Sequence, residues 1–220
     1  LSDNGVVYIL GGTGVVSQNF ENSLSEFNVK RLAGGNRYDT NLAVLKEAGV
    51  NNSDILICTG EDFADSLSAS AVGEPILLTA KTGLNKTQVN YLNSLDLKDV
   101  YLIGGEGVVS NSIAKSVAAF DDDGTADRLG GKDRYLTSVA VAEKFFANGS
   151  ESVVLAYAQN FPDGLTAGPL AMSMEGPLVL VDNSRYTTAK TFVDKLGADK
   201  AIVLGGPTLI TDKVANIIIN

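Results

Sequence analysis

The stretch Arg31–Thr40 reads RLAGGNRYDT, and ninety-seven residues later Arg128–Thr137 reads RLGGKDRYLT. The phrase is not an isolated echo. GEDFADSLSA (60–69) returns as AQNFPDGLTA (158–167), EPILLT (74–79) as GPLVLV (176–181), and VYLIGGEGVVS (100–110) as AIVLGGPTLIT (201–211). Segment order is kept and the offset drifts only from 97 to 102 residues, so a whole unit has been duplicated and only small loop insertions separate the copies. A third piece, VYILGGTGVVS (7–17), matches 100–110 almost residue for residue. The expected organisation is therefore the end of a preceding repeat at 1–27, a repeat at 28–120, an acidic linker at 121–127 and a repeat at 128–220. On this reading the parent protein carries at least three units.

Each unit alternates strand and helix signals. DILICTG, PILLT and VYLIGG are continuous apolar runs, as expected of strands covered on both faces. YDTNLAVLKEAG places Leu42, Leu45 and Ala48 on one helical face, with Val139, Ala142 and Phe145 at the same places in the second copy. DFADSLSASAVG, KTQVNYLNSLD and SNSIAKSVAAF read as further helices, the last capped by Ser110. The expected fold class is α/β: tandem modules, each a mostly parallel sheet with helices on both faces. KRLAGG is a short strand that could open its own module or close the sheet of the one before.

Composition narrows the function. Of 220 residues, 45% are apolar and 20% charged, and the net charge is −9. General attraction to nucleic acid or to an anionic membrane surface needs a positive footprint that this chain lacks, and no apolar run reaches membrane-spanning length. There is no histidine, which excludes Ser-His-Asp triads and His-based zinc sites. Cys58 is alone and reads as a small buried strand residue.

The arginines are concentrated. Of five in the chain, four (Arg31, Arg37, Arg128, Arg134) sit in the repeated phrase. A planar, permanently charged fork suits carboxylate and phosphate oxygens, so the phrase predicts local anion recognition on an acidic body. The competing reading pairs each arginine with an acid of its own module, such as Asp65 of FADSL or Asp163 of FPDGL. Those aspartates can equally be carboxylates at helix starts or acceptors for ligand hydroxyls. Tyr38 and Tyr135, next to the second arginine of each phrase, could brace a guanidinium, hold a sugar ring or pack the helix. Thr40 and Thr137 close the phrase.

Other motifs are weak. The GG pairs at 11–12, 104–105 and 205–206 lie where parallel sheets collect ligands, but the spacing of a dinucleotide loop fails at Ser17. DDDGTAD (121–127) lacks the downstream glutamate of a calcium loop. No carboxylate pair or activated nucleophile stands out, so neither an enzyme nor a cofactor is expected. Tandem weak sites adding through avidity explain the repetition better.

Taken together, R-[LI]-x-G-x-x-R-Y-x-T, F-x-D-x-L-[ST]-A, P-[IL]-[LV]-L and [VI]-x-[LI]-[IL]-G-G resemble the type 2 cell-wall-binding repeat of clostridial surface-layer and cell wall proteins. The likeness covers nearly the whole chain. It implies secretion to the cell wall and Rossmann-like or Toprim-like modules packed as a triangular pseudo-trimer. It also implies non-covalent anchoring to an anionic wall polysaccharide, with no membrane insertion. The front of the first repeat would then lie elsewhere, on another chain in one version. Under this resemblance Ile76, Leu77 and Leu78 form the family's apolar run and support anchoring; the second copy departs there and at GGPTLIT. The alternative is a structural module of a surface layer in which the repeated arginines only hold modules together.

Overall fold

The computed structural model describes residues 5–220; residues 1–4 of the expected first segment lie outside the described residues. Strand β1 (Val6–Leu10) leads through helix α1 (Gln18–Ser23) to strand β2 (Asn28–Leu32), and the two strands pair in parallel. Helix α2 (Arg37–Ala48) follows. Next come β3 (Ser53–Thr59), α3 (Ala64–Ala69), β4 (Ile76–Thr79), α4 (Lys86–Leu92), β5 (Leu97–Ile103) and α5 (Asn111–Val117). The second round runs β6 (Asp127–Leu129), α6 (Arg134–Phe145), β7 (Ser152–Tyr157), α7 (Pro162–Ser173), β8 (Leu178–Val181), α8 (Thr187–Leu196), β9 (Lys200–Leu204) and α9 (Asp212–Ile219).

The sheets are ordered β1-β2, β4-β3-β5-β6 and β8-β7-β9, and their strand pairings are all parallel. This is the expected α/β class. It also settles the open question about KRLAGG. β2 pairs with β1, and β6 pairs with β5, so each arginine phrase adds its strand to the sheet before it. The register repeats: Leu32 faces Leu10, and Leu129 faces Ile103. The sequence repeat and the sheet therefore do not share a boundary.

Both faces of the middle sheet are covered. Ile55, Ile57, Leu77 and Leu102 pack under Leu42 and Leu45 of α2, Tyr91 and Leu92 of α4, and Ile113 and Val117 of α5. Leu56, Cys58, Tyr101 and Ile103 face the other way, against Ala69 of α3 and Val141 of α6. Alternation of side chains along a strand puts odd and even residues into these two layers. Each fully buried aliphatic contributes about 1.5–3 kcal/mol. Helix α6 serves two cores, because Val139 and Ala142 pack with Val153, Leu155 and Phe192 in the second unit. Ala48 departs from the expected face and is exposed, because α2 ends there, with left-handed Gly49 as its cap. The acidic stretch is not a free hinge. Asp121 accepts from the backbone N–H of Val100 at 2.7 Å, and Asp127 opens β6.

Candidate functional site

The site grows from how a parallel strand ends. β1 and β5 run into Gly11 (φ +116°) and Gly104 (φ +112°), a backbone region that side chains avoid. At Gly104 a Cβ would also stand 2.4 Å from Asp65 Oδ2. The strand of the next phrase then locks on. Gly11 N–H donates to the Leu32 carbonyl at 2.8 Å, and Gly104 N–H to the Leu129 carbonyl at 2.9 Å.

The first arginine of each phrase completes that lock. Arg31 Nη1 donates to the Gly11 carbonyl at 2.6 Å, and its Nε and Nη2 fork onto Glu21 Oε2 at 3.0 and 2.8 Å. Arg128 Nη1 donates to the Gly104 carbonyl at 2.8 Å and Nη2 to Asn111 Oδ1 at 3.3 Å. The second arginine reaches the other way. Arg37 Nη1 donates to the carbonyl of Gly60, just after β3. Arg134 Nη1 donates to that of Ala158, just after β7, at 2.7 Å. Each phrase thus clips the end of the strand before it to the end of the strand after it.

The threonines hold the turn. Gly34 N–H donates to Thr40 Oγ1 at 3.0 Å, and Gly131 N–H to Thr137 Oγ1 at 3.1 Å. A Cβ at Gly34 would fall 2.3 Å from Asp39 Cβ, so the turn needs glycine. Asn36 caps α2 by accepting from the Tyr38 and Asp39 amides, and Asp133 caps α6 by accepting from that of Leu136.

The expected Arg–Asp pairing with Asp65 or Asp163 does not occur. The carboxylate partners are Glu21 for Arg31 and Asp62 for Arg134, the latter at 3.2 Å. Among the described residues Arg37 and Arg128 have no carboxylate within ion-pair distance. Asp65 is buried instead against the Gly104 backbone. Burial pushes its carboxyl up to about 6, Asp62 adds to the rise and Arg134 opposes it. Asp163 sits half-buried near Gly205 in the second unit.

The tyrosines diverge. Tyr38 is half-buried with its ring against Gly60, where a Cβ would meet Cε1 at 2.4 Å. Tyr135 is only 7% exposed. Its hydroxyl donates to Asp182 and accepts from Gln159 Nε2 at 2.6 Å, and Arg185 lies over its ring at 4.7 Å. A sugar ring therefore has no face of Tyr135 to pack on, which corrects that expectation. Leu77 is fully buried core, and Ile76 and Leu78 are half-buried. The Ile76 carbonyl and Leu78 N–H are both taken by the Asn41 side chain at 2.9 Å. Sequence reasoning missed the strand-end carbonyls as arginine partners, although the recurrence of a GG pair before every phrase was a signal. It also missed Asp182. That residue has no counterpart, because Ala80 holds its place in the first copy, so periodicity could not flag it.

Two equivalent grooves open at the strand ends. The first, about 570 Å³, is lined by Gly11, Gly12, Gly14, Gly34, Asn36 and Arg37 among others, and among the described residues Arg37 is the one ionisable residue in its lining. The second, about 530 Å³, has the matching residues Gly105, Gly107, Gly131, Asp133 and Arg134. Its lining also includes Asp62, Asp65, Glu106 and Lys132, so acids outnumber bases there. Both volumes suit a small ligand or one segment of a polymer. No cluster of three or more potential metal ligands occurs among the described residues. None of their helices is long and apolar enough to cross a membrane.

Comparison with known proteins fits this geometry. A family model described as cell wall binding domain 2 (CWB2) matches residues 31–114 and 128–215. N-acetylmuramoyl-L-alanine amidase LytC of Bacillus subtilis is 27% identical over 217 residues, which cover 96% of this chain and 42% of LytC. Protein PH0614 of Pyrococcus horikoshii is 29% identical over 163 residues, covering 70% of this chain and 48% of that one. The chain thus spans under half the length of these curated relatives. Among solved structures, Cwp6 from Clostridium difficile aligns with a TM-score of 0.87 at 25% identity, covering 99% of this chain and 36% of Cwp6. Cwp8 from the same organism aligns at 0.82 and 27%, covering 98% and 38%.

Proposed function

The chain belongs to the cell wall binding domain 2 family, whose members are cell wall binding modules, and from that premise we propose that it anchors its parent protein non-covalently by gripping an anionic wall polysaccharide. The observation that carries this reading is Arg37. Its guanidinium spends one N–H on the Gly60 carbonyl and meets no carboxylate among the described residues. It borders a glycine-lined groove whose lining, among the described residues, includes no other ionisable side chain. A guanidinium has five donors, so the rest of its fork can receive a phosphate or carboxylate. Half-buried Tyr38 stands at its shoulder.

The proposed roles are unequal. Arg37 contacts the anion, and Arg31 and Arg128 hold strands together. Arg134 is paired with Asp62 and lies 5.2 Å from the Phe63 ring. It borders a groove whose acids repel an anion, so we give it a structural role. Thr40 and Thr137 shape the turns, and Leu77 supports through the core. The sequence repeats divide as 1–27, 28–120, the acidic 121–127, and 128–220, and the phrase strands β2 and β6 reach into the sheet before them. Packing with further repeats as a triangular pseudo-trimer is part of the proposal. Binding, not catalysis, is the proposed role of this segment.

A second reading has an observation of its own. All four phrase arginines donate to strand-end carbonyls, as a purely structural clip would. Co-sedimentation with purified walls, before and after acid extraction of their anionic polymers, separates the two. Retention that disappears with the polymer supports anchoring. Retention that survives extraction, or never occurs in the folded chain, leaves the clip as the whole role.

A further inference from the structure

We propose that the second groove, with Asp65 in its wall, is a binding site for a primary ammonium group, carried by an amino sugar or by an amino-acid side chain. The argument starts from a carboxylate without a partner. Asp65 is only 8% exposed and lines the groove of about 530 Å³. Among the described residues it accepts no hydrogen bond and has no cation within ion-pair distance. Gly104 leaves room for it, since a Cβ there would stand 2.4 Å from Asp65 Oδ2. A carboxylate taken out of water without a counter-charge is costly to the fold. A cation arriving from outside would offset that cost. At the same place in the second unit Asp163 is only half-buried.

The charges around Asp65 are unequal in what they have left to give. Four carboxylates and two cations line the groove. Asp62, just before α3, is paired with Arg134, whose other bond goes to the Ala158 carbonyl. Asp133 is paired with Arg185 and caps α6. Beneath Asp65, the buried Cys58 thiol of β3 is pushed up by burial and stays neutral. Asp65 and Glu106 are therefore the uncommitted acceptors, and exposed Lys132 is the uncommitted cation. Glu106 stands where the other two glycine turns carry Thr13 and Pro207. An ammonium brings three donors and a single charge, which one or two carboxylates match through charge-assisted bonds. The acids do not form a group of three potential metal ligands among the described residues. Arg37 lies in the other groove, so this inference and the polysaccharide reading can fail independently.

The test titrates the full chain with D-glucosamine and, separately, with Nα-acetyl-lysine N-methylamide, and follows backbone amide shifts by NMR. Saturable shifts are expected at Gly104, Gly105 and Gly131 with at least one of the two, and the tighter ligand names the source. N-acetylglucosamine, which lacks the charge, should give none. Asp65→Asn should weaken binding at least about tenfold, the loss of one charge-assisted contact. That variant is expected to be more stable than the parent at pH 7, so the loss would not be unfolding. Lys132→Ala removes a competing cation and should tighten binding. The lysine probe stays charged across the range. Its affinity should fall about tenfold between about pH 7 and pH 5, because Asp65 titrates at about 6 and its ionised form is the one that binds. The proposal is overturned by no saturable shift with either amine, by equal shifts with N-acetylglucosamine, or by unchanged affinity in Asp65→Asn. Inorganic phosphate moving the same amides would also overturn it, since the groove would then take anions.

Discussion

Arg128 Nη1 donates to the carbonyl of Gly104 at 2.8 Å, joining a residue of one repeat to the strand end of the repeat before it. Arg31 repeats the bond on Gly11. The first arginine of the phrase is therefore a fastener between consecutive units. Arg128→Ala should cost about 1.5–3 kcal/mol, the range for hydrogen bonds from charged donors, measured by urea unfolding. Lysine should rescue poorly, because one ammonium cannot copy a fork that reaches Gly104 and Asn111 together. Wall retention per folded molecule should not change; lost retention at full stability would contradict this role.

Tyr38 and Gly60 fit edge to backbone. Gly60→Ala would place Cβ 2.4 Å from Tyr38 Cε1 and should cost about 1–3 kcal/mol by overpacking. Part of that loss should disappear on a Tyr38→Ala background, since neighbours couple. Equal costs on both backgrounds would mean that the ring does not sit where described.

Asp65 makes stability depend on pH in an unusual direction. Burial first, then Asp62, raises its carboxyl to about 6 against the opposing Arg134. The folded chain therefore binds more protons than the unfolded chain between about pH 4 and pH 6, so this group makes stability fall as pH rises through that window. Asp65→Asn should remove that fall. It should stabilise by up to about 3 kcal/mol at pH 7 and change little at pH 4. A variant that is less stable than the parent at pH 7 would refute the assignment.

Tyr135 and Asp182 act oppositely. Burial and then Asp182 push the Tyr135 hydroxyl up to about 12. Burial alone would raise Asp182. Hydrogen bonds from Tyr135, the Ser184 hydroxyl and the Ser184 and Arg185 amides outweigh it and hold the carboxyl at about 2. A depressed carboxyl stabilises above its unfolded value, and that share is lost as pH falls from about 4 towards 2. Tyr135→Phe should cost about 1–3 kcal/mol at pH 7 and flatten the acid limb of the stability curve. Unchanged urea midpoints at pH 7 and pH 3 would count against it.

Much of this architecture was legible in the sequence because it is periodic. The apolar runs 55–58 and 100–103 could only be strands buried on both faces, and Ser110 marked its helix start. Two things were hidden. The phrase strand joins the sheet before it, and no local pattern tells which of two neighbouring sheets a strand of three to five residues will enter. The arginines find backbone carbonyls, which every residue owns, so composition pointed to Asp65 and Asp163 instead. The grooves also differ through residues outside the phrase: Asp62, Asp65 and Glu106 make the second groove acidic. Two phrases that share six of ten residues thus border sites of opposite character.

On the proposed reading Arg37, and not its twin Arg134, meets the wall polymer. The most direct measurement is calorimetric titration of extracted anionic wall polymer into the parent chain, Arg37→Ala and Arg134→Ala, each first shown folded by circular dichroism. Arg37→Ala should weaken binding by about 10- to 100-fold, the loss of one charge-assisted contact, while Arg134→Ala should stay near the parent affinity. Equal losses in both variants, or none in Arg37→Ala, would contradict it.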